Sequence, residues 1–144
     1  MASQGLREQI LERHAAYKRG ERAFIADMLH EQTDWQFFIS PEALPVPSHV
    51  SGKWHVLLAL QKIDAELEII DSDLLLLLVD GDRAATICER TFRQRKTGRV
   101  MQYKTAAFHR YAEGKLIEYR EFGDGLDMLE QALGRGIDAP VAYE

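Results

Sequence analysis

Cysteine is almost absent: Cys88 stands alone among 144 residues. A single thiol excludes an internal disulfide framework and a cysteine-based zinc site. Positive charge is in deficit, with 18 Lys and Arg against 23 Asp and Glu, a net charge of −5. That balance argues against a nucleic-acid binder with a general basic face, so no nucleic-acid partner is expected. Long hydrophobic runs are missing too. The longest, Leu74 to Val79, is far too short to span a bilayer, so no membrane partner is expected. Met1 to Gly5 shows no basic segment leading into an apolar stretch, which leaves the cytoplasm as the expected compartment. There is no P-loop, dinucleotide fingerprint or nucleophile elbow. His14, His30, His49 and His55 show no metal-ligand spacing, so neither a metal nor a cofactor is expected.

What is present is an ordinary globular composition, 46% apolar and 28% charged. A chain this long buries roughly two-thirds of its unfolded surface, enough for a core without staples. The pattern predicts a single domain over residues 1–133 and a C-terminal tail over 134–144. Residues 6–19 form an amphipathic helix with Leu6, Ile10, Arg13, His14 and Tyr17 on one side. Gly20 stops it, and Glu21 starts a shorter helix carrying Phe24, Ile25, Met28 and Leu29. Trp35, Phe37 and Ile39 alternate as a strand. Three of the four prolines crowd into Ser40 to His49, a loop. Ser51 is placed to cap a helix running to about Ile63, with Gly52 in its first turn.

The remainder reads as strands. Ala65 to Val79 alternates, shifts phase near Asp71–Ser72 and continues, the mark of a bulge or break. Arg83–Lys96 and Arg99–Tyr111 are joined at Thr97-Gly98. Lys115–Phe122 follows the Glu113-Gly114 turn. Leu126, Leu129 and Leu133 then mark a short helix. Helices around one strand followed by consecutive antiparallel strands make an α+β pattern. On the last strand Ile117, Tyr119, Glu121 and Gly123 share a face. A three-residue turn at Ala112-Glu113-Gly114 points His109 and Ala107 to that face; a two-residue turn points Phe108 and Arg110 there instead.

In order and spacing these pieces resemble the nuclear-transport-factor-2-like superfamily, in its SnoaL-like and limonene-epoxide-hydrolase-like branch. The residues that carry the resemblance are Tyr17 to Glu21, Trp35-Gln36-Phe37 with Ala43-Leu44-Pro45, and Val50-Ser51-Gly52 with Val56. Glu89-Arg90-Thr91, Thr97-Gly98, Glu113 to Lys115 and Tyr119 to Phe122 complete it. The resemblance spans about residues 6–133. It implies a conical, cystatin-like barrel: a curved, mixed but mostly antiparallel sheet wrapped around three helices, with a pocket at the wide end. It also implies a homodimer packed sheet to sheet. The apolar run Leu74–Val79 supports that independently, because one helix layer covers only one face of a sheet. The resemblance favours the register with His109 inward. It suggests Arg90, Phe92, Trp35, Phe37, Leu60, and Arg13 with Tyr17, as lining.

Glu121 matches the acid that serves as base in epoxide hydrolases and SnoaL-like cyclases. A carboxylate in an apolar cavity suits general acid or base work, because desolvation disfavours its charged form. The plainer alternative is a glutamate at the pocket mouth or in a structural ion pair. Arg90 matches the arginine that bridges the two acids of the epoxide hydrolases. Three antiparallel strands bring it to the same face as Glu121, where long side chains meet across the intervening strand. Its alternative is a surface place among Arg93, Arg95, Lys96 and Arg99. His109 is a candidate proton shuttle, or simply a satisfied polar residue; Tyr119 is a weaker candidate for the same work. Phe92 stands where the epoxide hydrolases have their second acid, and Trp35 and Phe37 where they hold water. The base, oxyanion acid and tyrosine of ketosteroid isomerase fall at Phe37, Ala107 and Arg13. Neither of those activities is expected. The expectation is a pocket for a small, mostly apolar molecule, used by an isomerase-, cyclase- or hydrolase-type enzyme with Glu121, Arg90 and His109 at work. Tyr17, Trp35, Phe37, Leu60, Phe92 and Tyr119 would contact the ligand. A non-catalytic binding domain or a dimeric interaction domain is the alternative.

Overall fold

The computed structural model describes residues 2–137, so the expected tail lies outside the described residues from 138 onward. In chain order the elements are α1 (Ala2–Arg19), α2 (Arg22–Asp27), β1 (Leu29–Phe38), β2 (His49–Ser51), α3 (Lys53–Glu66), β3 (Leu67–Asp80), β4 (Arg83–Gln94), β5 (Val100–Ala112), β6 (Lys115–Gly123) and α4 (Gly125–Leu133). The six strands form one sheet in the order β2-β1-β6-β5-β4-β3. Only β1 and β6 run parallel. The sheet curls without closing, so β2 and β3 are free edges. Helix α1 lies against β3, α3 against β1 and β3, and α4 against β5.

Local chemistry explains the element ends. Gly20, at φ 78°, ends α1 in the left-handed conformation that only glycine adopts freely. Asp124 caps α4, its side chain accepting from the Asp127 amide. In β3 the register shifts between Ile69 and Asp71 and again between Leu74 and Leu76. The first is the expected bulge; the second went unread.

Several boundaries differ from the sequence reading. The second helix ends at Asp27, and Leu29 opens β1, six residues ahead of Trp35. The proline loop runs into a short strand the sequence did not show, β2, which begins at His49 and pairs Val50 with Trp35. Ser51 does not cap α3. Its hydroxyl donates to Asp34 Oδ1 at 2.5 Å, and Gly52, at φ 91°, takes the cap position. In α4 the buried positions are Met128 and Ala132, whereas Leu126 and Leu133 are exposed.

The hairpin before β6 needs a fuller correction. Its loop is the two-residue Glu113-Gly114, with φ of 55° and 74°. Positive φ at both positions is the mirror-image turn that matches strand twist. By parity alone that loop would point Phe108 and Arg110 inward. It does not, because the register slips between Arg110, opposite Glu118, and Tyr111, opposite Leu116. Ile117 is the extra residue. Leu116, fully buried, takes the inward place expected of Ile117. The bulge restores the phase, so His109 and Ala107 face the helices and Phe108 faces out.

Candidate functional site

The register places the inward side chains in rows. One row runs Trp35, Tyr119, His109, Ala84; the next runs Phe37, Glu121, Ala107, Thr86. Farther along, Thr105 faces Cys88 and Tyr103 faces Arg90. Between these rows and the helices lies a cavity of about 110 Å³, lined mainly by aromatic and aliphatic side chains. That is room for several water molecules or a benzene-sized body. Every residue expected in the site lines it: Tyr17, Trp35, Phe37, Leu60, Arg90, Phe92, His109, Tyr119 and Glu121.

Glu121 is 4% exposed and sits on the cavity floor. Its Oε1 accepts from Arg90 Nη1 at 3.0 Å and from the Tyr119 hydroxyl at 2.6 Å. Its Oε2 has no hydrogen bond among the described residues and is not buried. Arg90 stands on β4, two strands from Glu121. The inward residues of β5 between them, Thr105 and Ala107, are small, and the long arginine spans that low stretch. Burial works against the Arg90 charge, but Glu121 and Tyr119 outweigh it and hold its pKa well above the ordinary value. Burial, then the negative Glu121, push the Tyr119 phenol well above its ordinary pKa, so its proton stays in place. The Tyr119 ring stacks on Trp35 at 4.2 Å, and the indole N–H is satisfied by Thr33 Oγ1 at 2.9 Å.

His109 lies in the site with both nitrogens engaged. Arg13 Nη2 is 3.0 Å from Nδ1, and an arginine can only donate, so Nδ1 is the bare acceptor nitrogen. The ring proton is therefore on Nε2, facing Thr86 Oγ1 at 3.2 Å. Burial, with Arg13 and Arg90 adding to it, pulls the His109 pKa well below its ordinary value, consistent with a neutral ring. Neither nitrogen is left open toward the cavity, so this geometry does not offer the proton shuttle expected of His109.

Other features were not singled out by sequence reasoning. Tyr103 lines the cavity and donates to Ala43 O at 3.0 Å; burial pushes its pKa up to about 12. Met128 of α4 closes over Gly123, where a Cβ would come within 2.3 Å of its sulfur. The glycine at 123 was the available signal. Asp64 forms a bidentate pair with Arg22, both bonds 2.6 Å, in the cavity lining. The Arg22 and Arg90 guanidinium groups both lie over the Tyr17 ring, at 4.7 and 5.2 Å from its centroid. Among the described residues no group of three or more His, Cys, Asp or Glu could hold a metal ion. Nor, among them, is any helix long and apolar enough to cross a membrane.

No family model and no curated protein matches the chain. Solved structures do match. An NTF2-like protein from Burkholderia xenovorans gives a TM-score of 0.76 at 20% identity, covering 92% of this chain and 98% of that one. An LEH-like epoxide hydrolase from M. tuberculosis gives 0.71 at 12% identity, covering 88% of each chain. A protein from Catenulispora acidiphila with a ketosteroid isomerase-like fold, in complex with trimethylamine, gives 0.72 at 12% identity, covering 89% of this chain and 93% of that one. The chain therefore has the nuclear-transport-factor-2-like fold, an α+β cone, as the sequence resemblance implied. Identities this low establish the fold; chemistry has to come from this chain's own residues.

Proposed function

We propose that the chain is a small-molecule enzyme of the SnoaL-like kind, in which the Glu121 carboxylate moves a proton on a compact, mostly apolar ligand. One observation carries the reading: Glu121 is nearly fully buried in an apolar cavity, with Oε1 tied to Arg90 and Tyr119 and Oε2 unbonded. Such a carboxylate is held in a fixed orientation by its two donors with one oxygen left free to accept, which is the geometry a general base requires. The Tyr119 hydroxyl is occupied by Glu121, and Phe92 offers no proton, so no second acid supports opening of a strained ring. A lone base suits a reaction in which one group takes a proton and gives it back. The C–H proton moves to Oε2, the bonding pair delocalises into an adjacent unsaturated group, and the same proton returns at another carbon. Arg90 and Tyr119 position the base, and His109 positions Arg13. Trp35, Phe37, Tyr17, Leu60 and Phe92 hold the apolar body and exclude water.

The experiment is deuterium exchange, followed by proton NMR, with compact unsaturated ketones and acids in heavy water. The wild type is expected to wash deuterium into the ligand, and Glu121→Gln to stop this while still binding. Exchange that survives the substitution overturns the role of Glu121. A second reading, a non-catalytic binding domain, is favoured by Phe92 in place of a second acid; ligand binding without exchange supports it.

We propose also that two copies pack through the outer sheet face. Phe38 and Phe122 stack there at 4.4 Å, with Phe108 edge-on to Phe122 at 5.9 Å, and Leu75 and Leu78 are exposed on the edge strand β3, beyond β4. A second copy covering this face would remove an apolar surface that a monomer leaves in water.

A further inference from the structure

The charges around the cavity do not cancel. Three guanidinium groups, Arg13, Arg22 and Arg90, line it together with two carboxylates, Asp64 and Glu121. Arg22 is matched by Asp64 through two bonds, and Arg90 by Glu121 at 3.0 Å. Arg13 pairs with no carboxylate among the described residues. It donates instead to neutral acceptors, Tyr111 Oη and His109 Nδ1, each at 3.0 Å. A guanidinium has five N–H donors, so these two bonds fix the group without neutralising it and leave donors to spare. The interior carries a surplus positive charge although the chain as a whole carries −5.

A second donor among the lining residues, on β4 and not on α1, also lacks a partner. Arg90 Nε is buried with no acceptor among the described residues. Buried polar groups are rarely left unpaired, and a partly buried cation without a counter-charge is costly. Arg13 asks for an acceptor oxygen that the cavity's own residues do not provide, whereas Arg90 Nε is covered by protein atoms and out of a ligand's reach.

We propose that Arg13 anchors a ligand bearing an anionic oxygen group, a small carboxylate, with its apolar body against Trp35, Phe37 and Tyr119. The proposal rests on the reading that the cavity binds a small molecule, and it adds the charge of that molecule. The carboxylate lies at the α1 side of the cavity, with the remainder of the ligand extending toward Glu121. His14 and His109 add no competing charge: burial lowers both pKa values, so neither ring is protonated at neutral pH.

Benzoate and its neutral isostere benzamide test this by isothermal titration calorimetry. Wild-type protein is expected to bind benzoate about tenfold or more tighter, the value of a charge-assisted contact. Arg13→Gln is expected to remove that preference by weakening benzoate alone, and Arg13→Lys to keep most of it. Thermal melts of both variants accompany the titrations, because Arg13 also ties α1 to β5; the wild-type comparison needs no variant at all. Glu121→Gln removes a nearby negative charge and is expected to retain or tighten benzoate. Equal affinity for the two probes overturns the anchor and leaves the role of Glu121 standing. A benzoate preference that survives Arg13→Gln overturns it as well. Failure of both probes to bind at millimolar concentration overturns the anchor and the small-molecule cavity together.

Discussion

Severing the Arg90–Glu121 pair should reveal whether the site is held together by it. The pair is largely withdrawn from solvent, with side-chain exposures of 18% for Arg90 and 6% for Glu121. It therefore falls outside the class of solvent-screened surface bridges. Arg90→Met removes the cation and leaves a carboxylate in an apolar cavity with the Tyr119 hydroxyl as its one remaining donor. Removing one partner of a buried pair costs about 3–5 kcal/mol, because an uncompensated charge stays behind. Glu121→Gln is milder. The amide oxygen still accepts from Arg90 and Tyr119, and the cost is about 1–3 kcal/mol for a weakened bond to a buried charge. In the double variant the stranded charges are gone. Its cost should fall short of the two single costs together by about 0.5–3 kcal/mol, the coupling energy of residues in direct contact. Urea unfolding of the wild type, both single variants and the double variant measures this, with the slope checked for constancy. Additivity within about 0.5 kcal/mol would refute the pair as an energetic unit and would remove the positioning role given to Arg90.

Three further outcomes follow from the same geometry. Phe37→Ala empties part of the cavity wall beside Tyr119 and is expected to cost about 3–5 kcal/mol by urea unfolding; a loss under about 0.5 kcal/mol would place that side chain outside the core. The His109 pKa is lowered in the folded state, so below its ordinary value of 6.5 the unfolded chain takes up a proton that the folded chain refuses. Stability should therefore be complete above that pH and fall beneath it, by up to about 1.4 kcal/mol per pH unit, with His14 acting in the same direction; an unchanged slope in His109→Gln would contradict this. Sedimentation at micromolar concentration should give a dimer that Phe108→Asp converts to monomer, and a wild-type monomer would sink the outer-face interface.

How much was legible in the sequence depends on which feature had to be read. The approach of Arg90 to Glu121 was legible because short turns fix strand adjacency and the period of two fixes the face. Small residues at Thr105 and Ala107 left the way clear. His109 faces inward as the family resemblance favoured, but not by the three-residue turn offered for that register. The loop has two residues rather than three, and a bulge at Ile117 makes up the difference. Nothing at Ile117 announces a bulge, since neither a glycine nor a break in polarity marks it. The opening of β1 was hidden for a related reason. Met28 and Leu29 continue the apolar spacing of the helix before them, and periodicity cannot divide an apolar pair between two elements. In α4 a leucine stripe reads as the buried side, yet the room made by Gly123 lets Met128 in and leaves Leu126 outside. Arg13 shows the limit most clearly. The family resemblance placed it in the lining, but whether its charge is compensated depends on side chains of β5 far along the chain. Tyr111 and His109 hold the guanidinium with neutral atoms where a carboxylate at either position would have cancelled it. Charge balance inside a cavity is set by three-dimensional pairing and not by residue type, so the ligand's own charge is read from the partners each ion lacks.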